Sequence, residues 1–382
     1  MIPSIALRDG GPSIAIREMS IALAAAGAAV TVATTDADGP RARLSVPLEV
    51  PVRVGDVEYR HFARSMPGNW KLSISLARWL FGNSGSFDVV HVHALFSYAT
   101  IPGCRAAHRA GVPYVMRPLG TLDGWSLGQK SWKKAPYLQL IERHHLAHAS
   151  AIHATSESEA DAVRALGYGE KVRVIPLGVG GPVVAERKPP RSGAATRLLF
   201  LSRLHPKKGI PLLLGAVRKA RDAGARVELV IAGGGPEAYK SELESRVRSL
   251  ELADIVTFVG HVEGEDKRKL LASADVFVLP SHQENFCIAV AEALSAGLPV
   301  IVSDQVGIAP AIANAGAGRV VTIDSDALTA AIRDMAEHPE ERSRMGVRAA
   351  ALARDSFSWS RTAALLMDLY RELQIGAVRR AS

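Results

Sequence analysis

Short apolar runs recur along the chain, separated by stretches with helical spacing of apolar residues. In the second half the runs are 197–203 (RLLFLSR), 227–232 (VELVIA), 256–260 (VTFVG), 275–280 (DVFVLP) and 299–303 (PVIVS). In the first half they are 29–34, 87–93 (FDVVHVH), 113–117, 151–156 and 172–178, with a helix expected at 14–26 before the first of them. Runs this apolar are strands covered on both faces, and strand–helix–strand order predicts parallel sheets of the α/β class. A Gly-, Pro- and charge-rich stretch at 181–196 reads as a linker. It divides a domain at 1–180 from one at 197–355. An amphipathic helix at 356–382 closes the chain.

Residues 281–304 (SHQENFCIAVAEALSAGLPVIVSD) hold the densest chemistry. A helix is expected from 285 to 296, stopped by Gly297 and Pro299. It is apolar nearly all round, yet it carries Glu292, and Glu284 stands at the turn before it. An ionised carboxylate in such a setting needs a partner. The expected helix start offers backbone N–H groups at Asn285, Phe286 and Cys287, which suit a phosphate or a sugar hydroxyl. A capping Glu and a Glu at a wet helix edge account for the same pattern.

Other candidates sit in turns. Gly10 and Gly11 precede a helix, a geometry that lets backbone approach a phosphate and is also an ordinary turn. Arg203 and Lys208, followed by Gly209, offer planar donors and a point charge that suit a diphosphate; a solvated basic loop is the alternative. Gly233, Gly234, His261 and Asp304 follow further strands. With Arg203 and Glu284 they gather at strand C-terminal ends, where an open α/β sheet binds its ligand. His91 and His93 share one strand face and read as site-lining or structural rather than metal-binding. Arg117 ends the next strand. Asp36-Ala37-Asp38 has the Asp-x-Asp spacing of a metal motif, but turn chemistry explains it. Two amphipathic segments, 68–83 and the region of Trp125, Lys130, Trp132, Lys133 and Lys134, suit a membrane surface or a core helix with solvated cations.

Charge and composition narrow the partners. The net charge is +8, and residues 1–190 hold 21 Lys/Arg against 15 Asp/Glu, so the excess lies in the first half. That suits an anionic membrane or phosphorylated acceptor. No basic run interleaved with aromatics marks a nucleic-acid binder. The 2 cysteines, Cys104 and Cys287, are far apart and give neither a disulfide framework nor a zinc spacing, so a reducing cytoplasm is expected.

The pattern P-S-x-x-E-x-F…E-A-x-x-x-G-x-P-V around Glu284 and Glu292 resembles the retaining nucleotide-sugar glycosyltransferases of group 1 (family 4), as does S-R-L-H-P-K-K-G at 202–209. The resemblance covers nearly the whole chain and implies the GT-B fold, two Rossmann-like doubly wound parallel-sheet domains facing across a cleft. It implies transfer of a hexose from a nucleoside diphosphate sugar, UDP- or GDP-linked, to a glycan or lipid-linked acceptor hydroxyl. By the same resemblance Glu284 holds donor-sugar hydroxyls, Glu292 holds the ribose, and Arg203 and Lys208 grip the pyrophosphate. Gly10, Gly11, Gly233, Gly234, His261, Asn285, Phe286 and Cys287 line the donor. His91, His93 and Arg117 fall on the acceptor side. No metal or other cofactor is expected. Family habit points to surface polysaccharide assembly at the inner membrane face.

The family usually has Gly or Ser where Cys287 stands, and His where Leu119 stands. It also has a full strand before Gly10, of which only a stub is seen here, so an upstream start or a truncated strand is expected. The rivals are a nucleotide-sugar epimerase on the same fold and a non-catalytic sugar- or lipid-binding protein.

Overall fold

The structure, a computed structural model, describes residues 1–382 except 7, 9, 69, 129–130, 181–193 and 382, and only the backbone of 125, 131 and 377–381. The 181–196 linker therefore falls mostly outside the described residues. The chain forms two compact units, Met1–Gly178 with Trp359–Ser382, and Val179–Ser358.

In the first unit, strands Val90–His93, Tyr114–Arg117, Ala151–Ala154 and Val172–Val174 form a parallel sheet in chain order. Val30–Thr35 pairs parallel with Val57–Phe62, which pairs antiparallel with Pro51–Val54. Residues 1–6 form no assigned strand. Yet Met1 bonds to His91 and His93, and the Ile2 N–H donates to the Ala33 carbonyl at 3.2 Å. Helix Gly11–Ala25 starts earlier than expected, because a proline at the first turn loses no hydrogen bond and Gly10, at φ 73°, makes the turn. Its Ile16, Met19 and Leu23 pack with Leu366, Leu369 and Leu373 of the closing helix Trp359–Ala381.

One sequence expectation changes here. The amphipathic helix spans Ile74–Asn83 rather than 68–83, since Gly68 and Lys71 take positive φ and the Ser73 hydroxyl caps the helix on the Leu76 N–H. Asp36 belongs to a loop clasp. Its carboxylate accepts from the Arg64 N–H at 2.7 Å and from Arg43 at 3.2 Å. The buried Arg64 guanidinium donates to the carbonyls of Gly39, Pro40, Arg41 and Ala42. Among the described residues no group of acidic, His or Cys side chains could hold a metal ion.

The second unit carries a six-stranded parallel sheet in the order Val256–Gly260, Val227–Ala232, Thr196–Leu201, Val276–Leu279, Val300–Ser303, Gly318–Val321. The first strand of this sheet in sequence, Thr196–Leu201, lies inside, and the order reverses across it and Val276–Leu279. That is the switch point at which loops diverge and leave room for a ligand.

Candidate functional site

The loops that leave the two switch-point strands carry most of the predicted residues. Thr196–Leu201 ends two residues before the expected boundary, which puts Arg203 on a loop. Its guanidinium is exposed and makes no hydrogen bond among the described residues. The loop is anchored beneath it by buried Leu204, whose N–H donates to the Gly234 carbonyl at 2.8 Å. Gly233, at φ 145°, lies so close that an added Cβ would stand 1.8 Å from the Ser202 carbonyl oxygen. Gly209, at φ 70°, lets the same loop close on the next, since a Cβ there would meet the Pro280 carbonyl oxygen at 2.0 Å.

That approach brings the two loops into register. The Lys207 carbonyl accepts from the Ser281 hydroxyl at 3.0 Å and from the His282 N–H at 2.8 Å. The Lys208 ammonium then pairs with Glu284, and Ser281 Oγ lies 3.0 Å from the same carboxylate oxygen, its one hydrogen shared between that oxygen and the Lys207 carbonyl. Glu284 is pinned through its backbone as well. Its N–H donates to the Gln305 carbonyl at 2.9 Å and its carbonyl accepts from the Gly307 N–H at 2.9 Å. Both charges are largely buried, at 12% and 14% exposure, so each depends on the other.

This backbone bridge corrects the helix boundary. Residues 284–286 follow the neighbouring loop instead of coiling, and Cys287 caps the helix at φ 66°, so the helix runs Ile288–Ser295. Asn285, Phe286 and Cys287 therefore precede the helix, and its orphan N–H groups belong to Ile288 and Ala289. Phe286 is buried edge-on against Phe357, with ring centroids 5.4 Å apart. Burial, and then the Glu284 charge, push the Cys287 thiol up to about 12, so it is no nucleophile near neutrality.

Glu292 finds its partner in Lys267, at 2.6 Å, on helix Gly264–Ser273. Nothing in the sequence pattern marks this pair, because Lys267 stands in a charged run that reads as a solvated face. His261 is exposed at the end of Val256–Gly260, its Nε2 3.7 Å from Glu263. Gly234 lies beside it, a Cβ there standing 3.7 Å from the His261 Cβ. Asp304 is exposed at the end of Val300–Ser303. Burial first, then Arg203, Lys208 and Lys207, hold His205 below its usual range.

In the first unit the two predicted histidines stack, with ring centroids 4.1 Å apart. His91 is engaged at both nitrogens, by the Tyr370 hydroxyl at 2.7 Å and by His153 at 3.4 Å. His153 Nε2 donates to the Ile175 carbonyl at 2.8 Å. That fixes the tautomers: His91 donates through Nε2 and accepts from Tyr370 at Nδ1. Both His91 nitrogens are thus engaged, while His91 and His93 both line a cavity of the first unit. His93 and Arg117 are buried, with His93 Nδ1 and the Arg117 Nε and Nη1 lacking partners among the described residues. Burial lowers Arg117 to about 10. The loop beyond Arg117 is strained, with Leu119 at φ 60°, and the Gly120 N–H donates to buried Glu159 at 2.6 Å. Neither Glu159 nor His153 was singled out from the sequence.

Known proteins share this framework. Residues 185–351 match the family Glycosyl transferases group 1, and residues 10–178 match the Glycosyl transferase 4-like domain. A D-inositol 3-phosphate glycosyltransferase of Streptomyces avermitilis is 30% identical, the alignment covering 76% of this chain and 67% of that one. The putative glycosyltransferase EpsF of Bacillus subtilis is 34% identical over 58% of this chain and 59% of its own length, so that match spans less than two thirds of the relative. The crystal structure of Anabaena HepE in complex with UDP has a TM-score of 0.74 at 19% identity, over 97% of this chain and 98% of that one. The chain has the fold of the GT-B glycosyltransferases, and it belongs to the group 1 family. It is a glycosyltransferase.

Proposed function

We propose that the protein transfers a hexose from a nucleoside diphosphate sugar, UDP- or GDP-linked, to an acceptor hydroxyl with retention of configuration. The observation that carries this reading is the placing of Arg203 and the Lys208–Glu284 pair on the loops that leave the switch-point strands, with Glu292 in the helix that follows. Arg203 and Lys208 take up the charge that forms on the departing diphosphate. Glu284, held by Lys208 and the Ser281 hydroxyl, accepts from hydroxyls of the donor sugar and orients it. Glu292 accepts from the nucleotide ribose, and Gly233, Gly234 and His261 border the nucleotide. The bond from the sugar to the phosphate oxygen breaks as the acceptor oxygen bonds to the same carbon, and a donor phosphate oxygen takes the acceptor's proton. These cations do the work often given to a divalent metal, so the reading needs none.

The acceptor is read as a glycan or lipid-linked hydroxyl of surface polysaccharide assembly, with His91, His93 and Arg117 of the first unit on its side. Exposed Met66, Trp70 and Ile74, with Lys133 over the exposed Trp132 ring, support peripheral contact with an anionic membrane. No helix among the described residues is long and apolar enough to cross one.

The test is calorimetric titration with UDP, GDP and ADP, with and without EDTA, followed by product analysis with the matching sugar nucleotides. Metal-independent binding of one diphosphate, and sugar transfer that requires an acceptor, is the expected result. Interconversion of sugars without acceptor means an epimerase, and binding without turnover means a sugar-binding protein.

A further inference from the structure

On helix Gly264–Ser273 the other charged side chains pair within the helix, Arg268 with Glu265 and Lys269 with Asp266, on an exposed face. Among the charged side chains described on this helix, Lys267 alone pairs with a different element. It places its ammonium 2.6 Å from Glu292 Oε1, with the two side chains only 26% and 23% exposed. The remaining oxygen, Oε2, makes no hydrogen bond among the described residues. Glu292 is in the second turn of a helix whose Val290, Ala291, Ala293 and Leu294 are fully buried, so the backbone beneath the carboxylate cannot shift.

We infer that Lys267 is a positioning residue that sets the preference of the nucleotide site for ribose over 2′-deoxyribose. The inference rests on the ribose role given to Glu292 above. One carboxylate oxygen is tied down by the ammonium. The carboxylate is held at one rotation, and Oε2 is left as a fixed acceptor for a vicinal diol. Without Lys267 the side chain of Glu292 turns freely and pays ordering entropy on each binding event. The diol then gains little over a sugar that lacks the 2′-hydroxyl.

The test is calorimetric titration of wild type, Lys267→Met, Lys267→Arg and Glu292→Ala with UDP, GDP and ADP and their 2′-deoxy counterparts. Wild type should prefer the ribo form of its diphosphate by about tenfold or more, the range for hydrogen bonds to a charged group. Glu292→Ala should abolish that preference. Lys267→Met should cut it to within about twofold while leaving affinity for the deoxy form unchanged, and Lys267→Arg should keep most of it. A merely structural lysine would lower both affinities together. That result, or an intact preference in Lys267→Met beside a lost one in Glu292→Ala, overturns the inference alone. An intact preference in Glu292→Ala overturns the ribose role itself.

Discussion

Lys208 and Glu284 form an ion pair across the two loops that leave the switch-point strands, and Ser281 Oγ lies 3.0 Å from the same carboxylate oxygen. In the proposed reaction these partners act on different parts of the donor, so their variants should separate. Lys208→Ala removes a cation from the diphosphate and leaves Glu284 with an uncompensated, largely buried charge. Affinity for the diphosphate and turnover should both fall, turnover by about 10²-fold or more. Glu284→Gln keeps shape and frees the ammonium. Diphosphate affinity should hold within about threefold while turnover drops by a similar factor. Calorimetry with the diphosphate beside initial rates with the sugar nucleotide makes the comparison, and equal losses of affinity in both variants would contradict the division of roles.

The pair depends on backbone that only glycine permits. At Gly209 the positive φ and the nearby Pro280 carbonyl oxygen leave no room for a Cβ. Gly209→Ala should destabilise the second unit by roughly 1–3 kcal/mol or more, from strain at a left-handed position plus the clash. The five tryptophans, Trp70, Trp79, Trp125, Trp132 and Trp359, all lie in the first unit. Tryptophan fluorescence should therefore report an unchanged first unit, while hydrogen exchange in the Thr196–Leu201 and Val276–Leu279 strands quickens. Protection unchanged in both strands would show the loop yields to the methyl group.

The parallel sheets, the strand ends that carry candidate residues, and the need of Glu292 for a partner were legible in the sequence. Apolar runs fix buried strands, and a carboxylate on an apolar helix signals a partner by its cost. Neither ion pair was legible, although one of the two lysines stood out as a diphosphate ligand. Lys208 stood in a strand–loop–glycine setting, but Lys267 sat in a run of alternating charges that periodicity cannot distinguish from a solvated face. The helix start at Ile288 was missed because a backbone bridge from Glu284 to Val306, a long-range contact, overrides local propensity. The relay through His153 and Tyr370 was missed for a similar reason, since its members lie up to 279 positions apart.

Tyr370 donates from the closing helix to His91 in the Val90–His93 strand. Tyr370→Phe removes that donor and leaves a buried imidazole nitrogen unpaired, at a cost of about 1–3 kcal/mol. The loss should appear in denaturation followed by tryptophan fluorescence, with diphosphate affinity unchanged because Arg203 and Lys208, read as gripping the diphosphate, lie in the other unit. Unaltered stability would mean that the bond contributes nothing net.

The same relay predicts how the first unit responds to acid. Burial lowers His153 to about 3, with Arg117 adding to the shift, and burial also holds His91 and His93 well below the ordinary value of 6.5. The Met1 amine and Arg117 reinforce the shift at both of these. A histidine whose folded value is depressed stays neutral in the native state, while the unfolded chain takes up the proton first as pH falls. Its stabilisation is fully present above pH 6.5 and is lost progressively as the pH drops toward the folded value, at about 1.4 kcal/mol per pH unit for each such group. His153→Gln keeps an N–H for the Ile175 carbonyl but has no proton to gain. Between pH 7.5 and 5 the fluorescence-detected stability of wild type should therefore fall more steeply than that of the variant, by the slope of about one proton. Parallel curves would place the acid sensitivity of the first unit elsewhere than in this buried imidazole.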